Sequence, residues 1–145
     1  MDKIVVVGGK TVTFRSTALI PRIYRHLMGR DMMRDMAQLR KSYEAAETAR
    51  KNGADEAAQN EAGLSVIDLE IFENVAWVML KHAADPVYDD AGNRIGARNG
   101  DMDLWNSPDE WLDHLDGIFD VYEVLPEILD LWNKCQQTTS SPAKK

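Results

Sequence analysis

The chain has 145 residues, 44% of them hydrophobic and 28% charged, with a net charge of −7; this is the composition of a folded globular chain, not a disordered one. A pI near 4.9 argues against a protein that coats nucleic acid, and the lone cysteine, Cys135, excludes an internal disulfide framework or a multi-cysteine zinc site. No apolar run approaches the ~20 residues that cross a bilayer, and Met1–Val7 is too short a run for a signal peptide, so the expectation is a cytoplasmic protein with one domain over 1–135.

Charge is divided along the chain. Residues 1–50 hold ten Lys/Arg against five Asp/Glu, leaving seven basic and nineteen acidic residues in 51–145. Such halves can attract each other within one fold or present opposed faces to partners.

The first element predicted is a hairpin over 3–15. Ile4–Val7 and Thr11–Phe14 flank Gly8-Gly9, whose freedom at positive φ suits a two-residue turn. That turn places Val7 opposite Lys10, Val5 opposite Val12 and Lys3 opposite Phe14. One face then carries Val5, Val7, Val12 and Phe14, the other Ile4, Val6, Thr11 and Thr13. An isolated hairpin is marginal in water, so it must dock on helices or gain strands from another chain. Gly9-Lys10-Thr11 is not a phosphate loop: Ile4 stands where the loop needs a glycine, and strand follows where it needs a helix.

Helical patterning begins after Ser16. Pro21 opens a helix that Gly29 ends, and Asp31 caps a second. Met32, Met36, Leu39 and Tyr43 make an i, i+4, i+7, i+11 stripe with one buried face. Residues 44–63 are rich in alanine and charge, with a break expected at Asn52-Gly53. Ser65 caps the next helix with Asp68 in the reciprocal position, and its apolar run past Asn74 marks it as the central buried helix.

Pro86 ends that helix. Residues 87–106, with three glycines and no helical period, read as a long solvated loop with a small hairpin around Ala91-Gly92-Asn93. Its aspartates lack calcium-loop spacing. Ser107-Pro108-Asp109-Glu110 starts a short helix to about Asp116. A last helix is expected from about Ile118 to Cys135, with Pro126 kinking or breaking it. Residues 136–145 are expected to be a disordered tail. The fold class is mainly α: an N-terminal β-hairpin packed on four to five helices.

The residues assemble no catalytic, cofactor or metal constellation. There is no Gly-x-Ser-x-Gly and no His-Glu-x-x-His, and His26, His82 and His114 never form an i, i+4 pair. The reading is a non-enzymatic binding protein with no cofactor. Helices over 21–43 also allow a helix-turn-helix, though the acidic remainder opposes it.

Three stretches together carry a resemblance. They are Val12–Thr17 leading to Pro21-Arg22-Ile23-Tyr24-Arg25-His26 and Gly29-Arg30-Asp31; Asp68-Leu69-Glu70-Ile71-Phe72-Glu73-Asn74-Val75-Ala76-Trp77-Val78-Met79; and Pro108-Asp109-Glu110-Trp111-Leu112 running to Ile118–Trp132, with Glu123-Val124-Leu125-Pro126-Glu127 inside it. In order and spacing the chain resembles the tail assembly chaperones of long-tailed phages and prophages of Gram-positive bacteria. Here about twenty residues intervene before Pro108 where family members pass quickly. The resemblance implies a factor that binds the tape measure protein, recruits tail tube subunits, works in the host cytoplasm and is absent from the virion. It also implies a longer form made by frameshifting, to which the tail would be a linker. Self-association stays open, and no nucleic acid or membrane is implied as partner. The contact surface expected is the basic first helix (Arg22, Arg25, Arg30) with Met32, Met33 and Met36. The alternative is a virion structural protein, such as a head–tail connector or tail completion factor.

Overall fold

The computed structural model describes residues 1–53, 64–116 and 119–140, with side chains as far as Gln136. It is mainly helical: an N-terminal two-stranded hairpin, five helices among the described residues and a second small sheet. The elements run β1 (Asp2–Val7), β2 (Lys10–Arg15), α1 (Ile20–Met28), α2 (Met32–Lys51), α3 (Val66–His82), β3 (Asp85–Tyr88), β4 (Arg94–Asn99), β5 (Met102–Asp103), α4 (Pro108–Asp113) and α5 (Val121–Ser140).

The hairpin has the register that a Gly-Gly turn dictates, from Val7 opposite Lys10 to Asp2 opposite Arg15. Both turn glycines sit at positive φ. Val7, Val12 and Phe14 are buried, whereas Ile4 and Val6 point outward. Asp31 caps α2 by accepting from the Met33 amide, and Gly29 closes α1 in the left-handed conformation. Between those caps Tyr24 donates to Asp35 at 2.6 Å, and Arg30 grips the same carboxylate through Nε and Nη2, each at 2.8 Å. The α1–α2 corner is thereby fixed by a largely buried carboxylate with three donors.

Helix α3 is the centre of the molecule. Ser65 and Asp68 form the expected capping box, and Ile71, Phe72 and Val75–Leu80 are all buried. Burial on every side from Val75 onward follows from an apolar surface with no polar face to solvate. Phe72 stacks on Phe119, which meets Trp111 edge-on, both at 5.1 Å. Phe119 thus lies ahead of α5, not within it, and the predicted start at Ile118 falls outside the described residues.

Residues 87–106 correct the expectation of a loop. They form most of an antiparallel sheet ordered β3-β4-β5, with a register shift at Val87/Tyr88. The turn around Ala91-Gly92-Asn93 is present, and the Asp89 carboxylate accepts from the Ala91 and Asn93 amides. Pro86 lies in edge strand β3, where its missing N–H is harmless. Arg94-Ile95-Gly96-Ala97-Arg98-Asn99 has little alternation of its own. It is strand because Asn99 and the Leu104 carbonyl, which accepts from the Trp77 indole at 2.9 Å, tie the sheet to α3.

Helix α5 passes through Pro126 without a break and continues over 136–140. Its last buried turn is at Leu131–Trp132, and nothing before Pro142 stops propagation. Of the tail expected over 136–145, residues 141–145 lie outside the described residues. No helix among the described residues is long and apolar enough to cross a membrane.

Asn99, buried between the two sheets, donates to the Thr13 carbonyl at 2.7 Å and the Leu80 carbonyl at 2.8 Å while accepting from the Thr13 amide at 2.9 Å. Its neighbour Gly100 has φ +57, and a Cβ there would stand 2.4 Å from the Thr11 carbonyl oxygen. Asn99→Ala is expected to cost about 3 kcal/mol, since the groups it leaves bare cost about 1–3 kcal/mol each. Gly100→Ala should destabilise by a similar amount through strain and backbone collision. Urea unfolding followed by tryptophan fluorescence measures both; a midpoint unchanged in either variant contradicts the role given to that residue.

Candidate interaction surface

The residues expected to contact a partner divide into three groups. Met32 and Met36 are core, 1% and 0% exposed, so they are removed from the contact surface: the stripe that contains them is the buried face of α2. Arg30 is held by Asp35 within the chain. Arg22, Arg25 and Met33 are exposed, with Met33 at 52%.

Arg22 and Arg25 lie on α1, whose outer side carries an apolar stripe that the residue spacing alone contains. Leu19, Ile23 and Leu27 recur every four residues; Leu19 and Leu27 are exposed and Ile23 is half-buried. Packing α1 on the end of α3 makes Ile23 and Leu27 of this stripe the wall of an open groove of about 370 Å³, lined also by His26, Lys81 and His82. Every titratable group on its lining is basic. Among the described residues Arg22, Arg25, His26 and Lys81 enter no ion pair.

Lys81 lies over the Trp77 ring at 4.8 Å. Burial lowers its pKa, and Arg94 lowers it further. A cation so placed gains from any carboxylate that enters the groove. His82 is also held below its ordinary pKa, by burial and then by Arg15. Its Nε2 lies 2.8 Å from the Thr17 hydroxyl, and its carbonyl accepts from Arg15 at 3.3 Å. These bonds fasten the β2–α1 connection to the end of α3. The groove can therefore hold an apolar helical stripe and pair with acids along the edges of that stripe, but it presents no acid–base pair for chemistry.

Two other concavities differ in character. One of about 480 Å³ lies between α2 and α5, lined by Met33, Ala37, Arg40, Trp132, Asn133 and Gln136; the Arg40 Nε is buried there without a hydrogen-bond partner. The other, of about 100 Å³ on the second sheet beside Trp105, is too small for a helix. Trp105 itself has φ 56, a left-handed conformation rare for an aromatic residue, with its ring stacked on His114 at 4.1 Å. No group of three or more His, Cys, Asp or Glu among the described residues is arranged to hold a metal ion.

Sequence reasoning named Arg22 and Arg25 but missed Leu19, Leu27 and Lys81. The leucines were signalled by their spacing; Lys81 reaches the groove only through tertiary packing. Comparison with protein-family models, with curated proteins and with solved structures returns no match for this chain.

The protonation states around the groove and the α1–α2 corner give a direction for pH. His82 titrates lower in the folded chain than its ordinary 6.5, so the unfolded chain takes up the proton first and stability falls as pH drops below about 6.5. Burial raises the Asp35 pKa, but hydrogen bonds from Arg30 and Tyr24 outweigh it and the net shift is downward. That contribution is present at neutral pH and lost only on acidification below about 4. The urea midpoint should be lower at pH 5 than at pH 7.5, and His82→Gln should shrink the difference; an equal difference in the variant removes His82 from the effect.

Proposed function

We propose that the chain is a tail assembly chaperone of long-tailed phages, working in the host cytoplasm by shielding the tape measure protein until tail tube subunits cover it. Two things support the reading: the resemblance over three ordered stretches of the sequence, and the α1–α3 groove. The groove is the observation that carries the mechanism.

An unassembled tape measure protein exposes long apolar helical stripes, a surface of the kind that aggregates. A complementary groove lowers that exposure by taking one turn or two of the stripe, helix against helix. Ile23 and Leu27 in the groove, with Leu19 one turn before them, supply apolar contact, while Arg22, Arg25 and Lys81 select segments with carboxylates beside the stripe. Because cations at the rim remain near water, they contribute more to encounter and choice of partner than to raw affinity.

Co-expression with the tape measure gene of the same phage tests the proposal. The tape measure protein should be soluble with this chain and insoluble without it; equal solubility refutes the function. Recovery of the chain from purified virions would favour the head–tail connector or completion-factor alternative. Within a positive result, reversing Arg22 and Arg25 to Glu should weaken capture about tenfold, equivalent to ~1.4 kcal/mol, and Leu27→Asp should weaken it further. Both variants alter exposed side chains, so their unfolding midpoints should match the parent; unchanged capture would relocate the contact surface.

A further inference from the structure

The two edges of the hairpin are treated differently by the rest of the chain. A two-residue turn closed at Val7–Lys10 makes Val5–Val12 and Lys3–Phe14 the pairs that exchange hydrogen bonds. The amides and carbonyls of Thr11 and Thr13 therefore face away from β1 on one side, and those of Asp2, Ile4 and Val6 face away from β2 on the other. The β2 edge is closed: Asn99 satisfies both backbone groups of Thr13, and Gly100 presses against the Thr11 carbonyl. On the β1 edge, among the described residues, nothing bonds the outward groups of Ile4 or Val6.

Of the devices that normally blunt an exposed edge, β1 carries only charges at its start, Asp2 and the inward-pointing Lys3. It has no proline and no bulge, and no lysine points outward. Lys3 points inward and is engaged by Glu127 at 2.6 Å and Asp130 at 2.8 Å on α5. Asp2 is paired with Arg15 at 2.8 Å. On the outward face Ile4 is 71% exposed and Val6 62%, high values for large aliphatic side chains on a regular strand.

We infer that β1 is a self-association edge, pairing antiparallel with β1 of a second copy to make a four-stranded sheet across a two-fold axis. The occupant is a second copy because β1 is self-complementary. With the axis at Ile4, Ile4 of one copy lies opposite Ile4 of the other and Asp2 opposite Val6, so every outward amide on the strand finds a carbonyl. No like charges stand opposite one another, since Lys3 faces Val5. The strand's own charges, Asp2 and Lys3, are each paired within their own chain, so they do not oppose the approach. Edge pairing over so short a strand falls below the ~1,200 Å² of a standard stable interface, which makes the dimer one that dissociates on dilution. The groove on α1 and α3 is not used, so this inference stands independently of the proposed function.

Sedimentation equilibrium on the full chain from about 5 μM to about 500 μM, concentrations that bracket a Kd of about 50 μM, tests it. The weight-average mass should rise from 16.4 kDa towards twice that value. Ile4→Lys and Val6→Lys should hold the chain at monomer mass throughout, with unchanged circular dichroism and unfolding midpoint, whereas Ile4→Thr should retain the rise. The Ile4 and Val6 amides should exchange at least tenfold more slowly in the concentrated sample. A monomer at every concentration overturns the inference. So does a dimer that both lysine variants leave intact, or amide protection independent of concentration, which would mean the edge is covered within its own chain.

Discussion

The structure depends on the carboxamide of Asn99. A hairpin edge and the last turn of the central helix bring backbone polar groups to one buried point, and an asparagine side chain from the second sheet has the donor and acceptor geometry to serve them together. A water molecule could serve the same groups, but it would not link them covalently to β4. Asn99 makes the strand that carries it part of the same cooperative unit as α3, and it lets the hairpin dock edgewise without a third strand. Gly100 is the companion constraint: only a residue without a Cβ lets the β4–β5 turn reach the β2 backbone.

This arrangement leaves one hairpin edge closed and the other open. The inner face of the hairpin is covered by α3 and α5, with Val12 and Phe14 seated in the core. The outer face repeats the same β-branched chemistry where there is no core to receive it. Stability explains Val7, Val12 and Phe14; it does not explain Ile4 and Val6, which would be cheaper as threonine or lysine on a solvated face. The division of the sheet into a used and an unused side is the structural basis for reading β1 as a contact element.

Charge follows a comparable logic. The excess of basic residues in the first fifty is partly consumed inside the fold, through Arg30 on Asp35, Arg15 on Asp2 and Lys3 on α5. Among the cations left without an ion pair, Arg22 and Arg25 lie on α1 beside one apolar groove, and Lys81 of α3 lines it. A split in charge along a sequence does not by itself say which cations will be spent internally. The distinction rests on geometry: Arg30 follows Gly29 at the corner and falls within reach of Asp35, whereas Arg22 and Arg25 lie a turn earlier on the outer side of α1.

Local chemistry sufficed for a good deal. The hairpin register follows from Gly8-Gly9, the helix starts from Asp31, Ser65 and Ser107, and the centrality of α3 from an apolar run too wide for any surface helix. Each of these is decided within a few residues of the chain, by turn φ angles, orphan amides and periodicity. The turn around Ala91-Gly92-Asn93 was legible, but the extent of the second sheet was not, because Arg94–Asn99 lacks alternation and gains its strand conformation from partners distant in sequence, Thr13 and Leu80 among them. The burial of Met32 and Met36, the commitment of Arg30 and the arrival of Lys81 beside α1 were likewise settled only by packing. The sequence alone determined which segments curl or extend and which faces are greasy; the tertiary structure decided which greasy faces and which charges are left over, because burial and ion pairing depend on what the rest of the chain brings alongside.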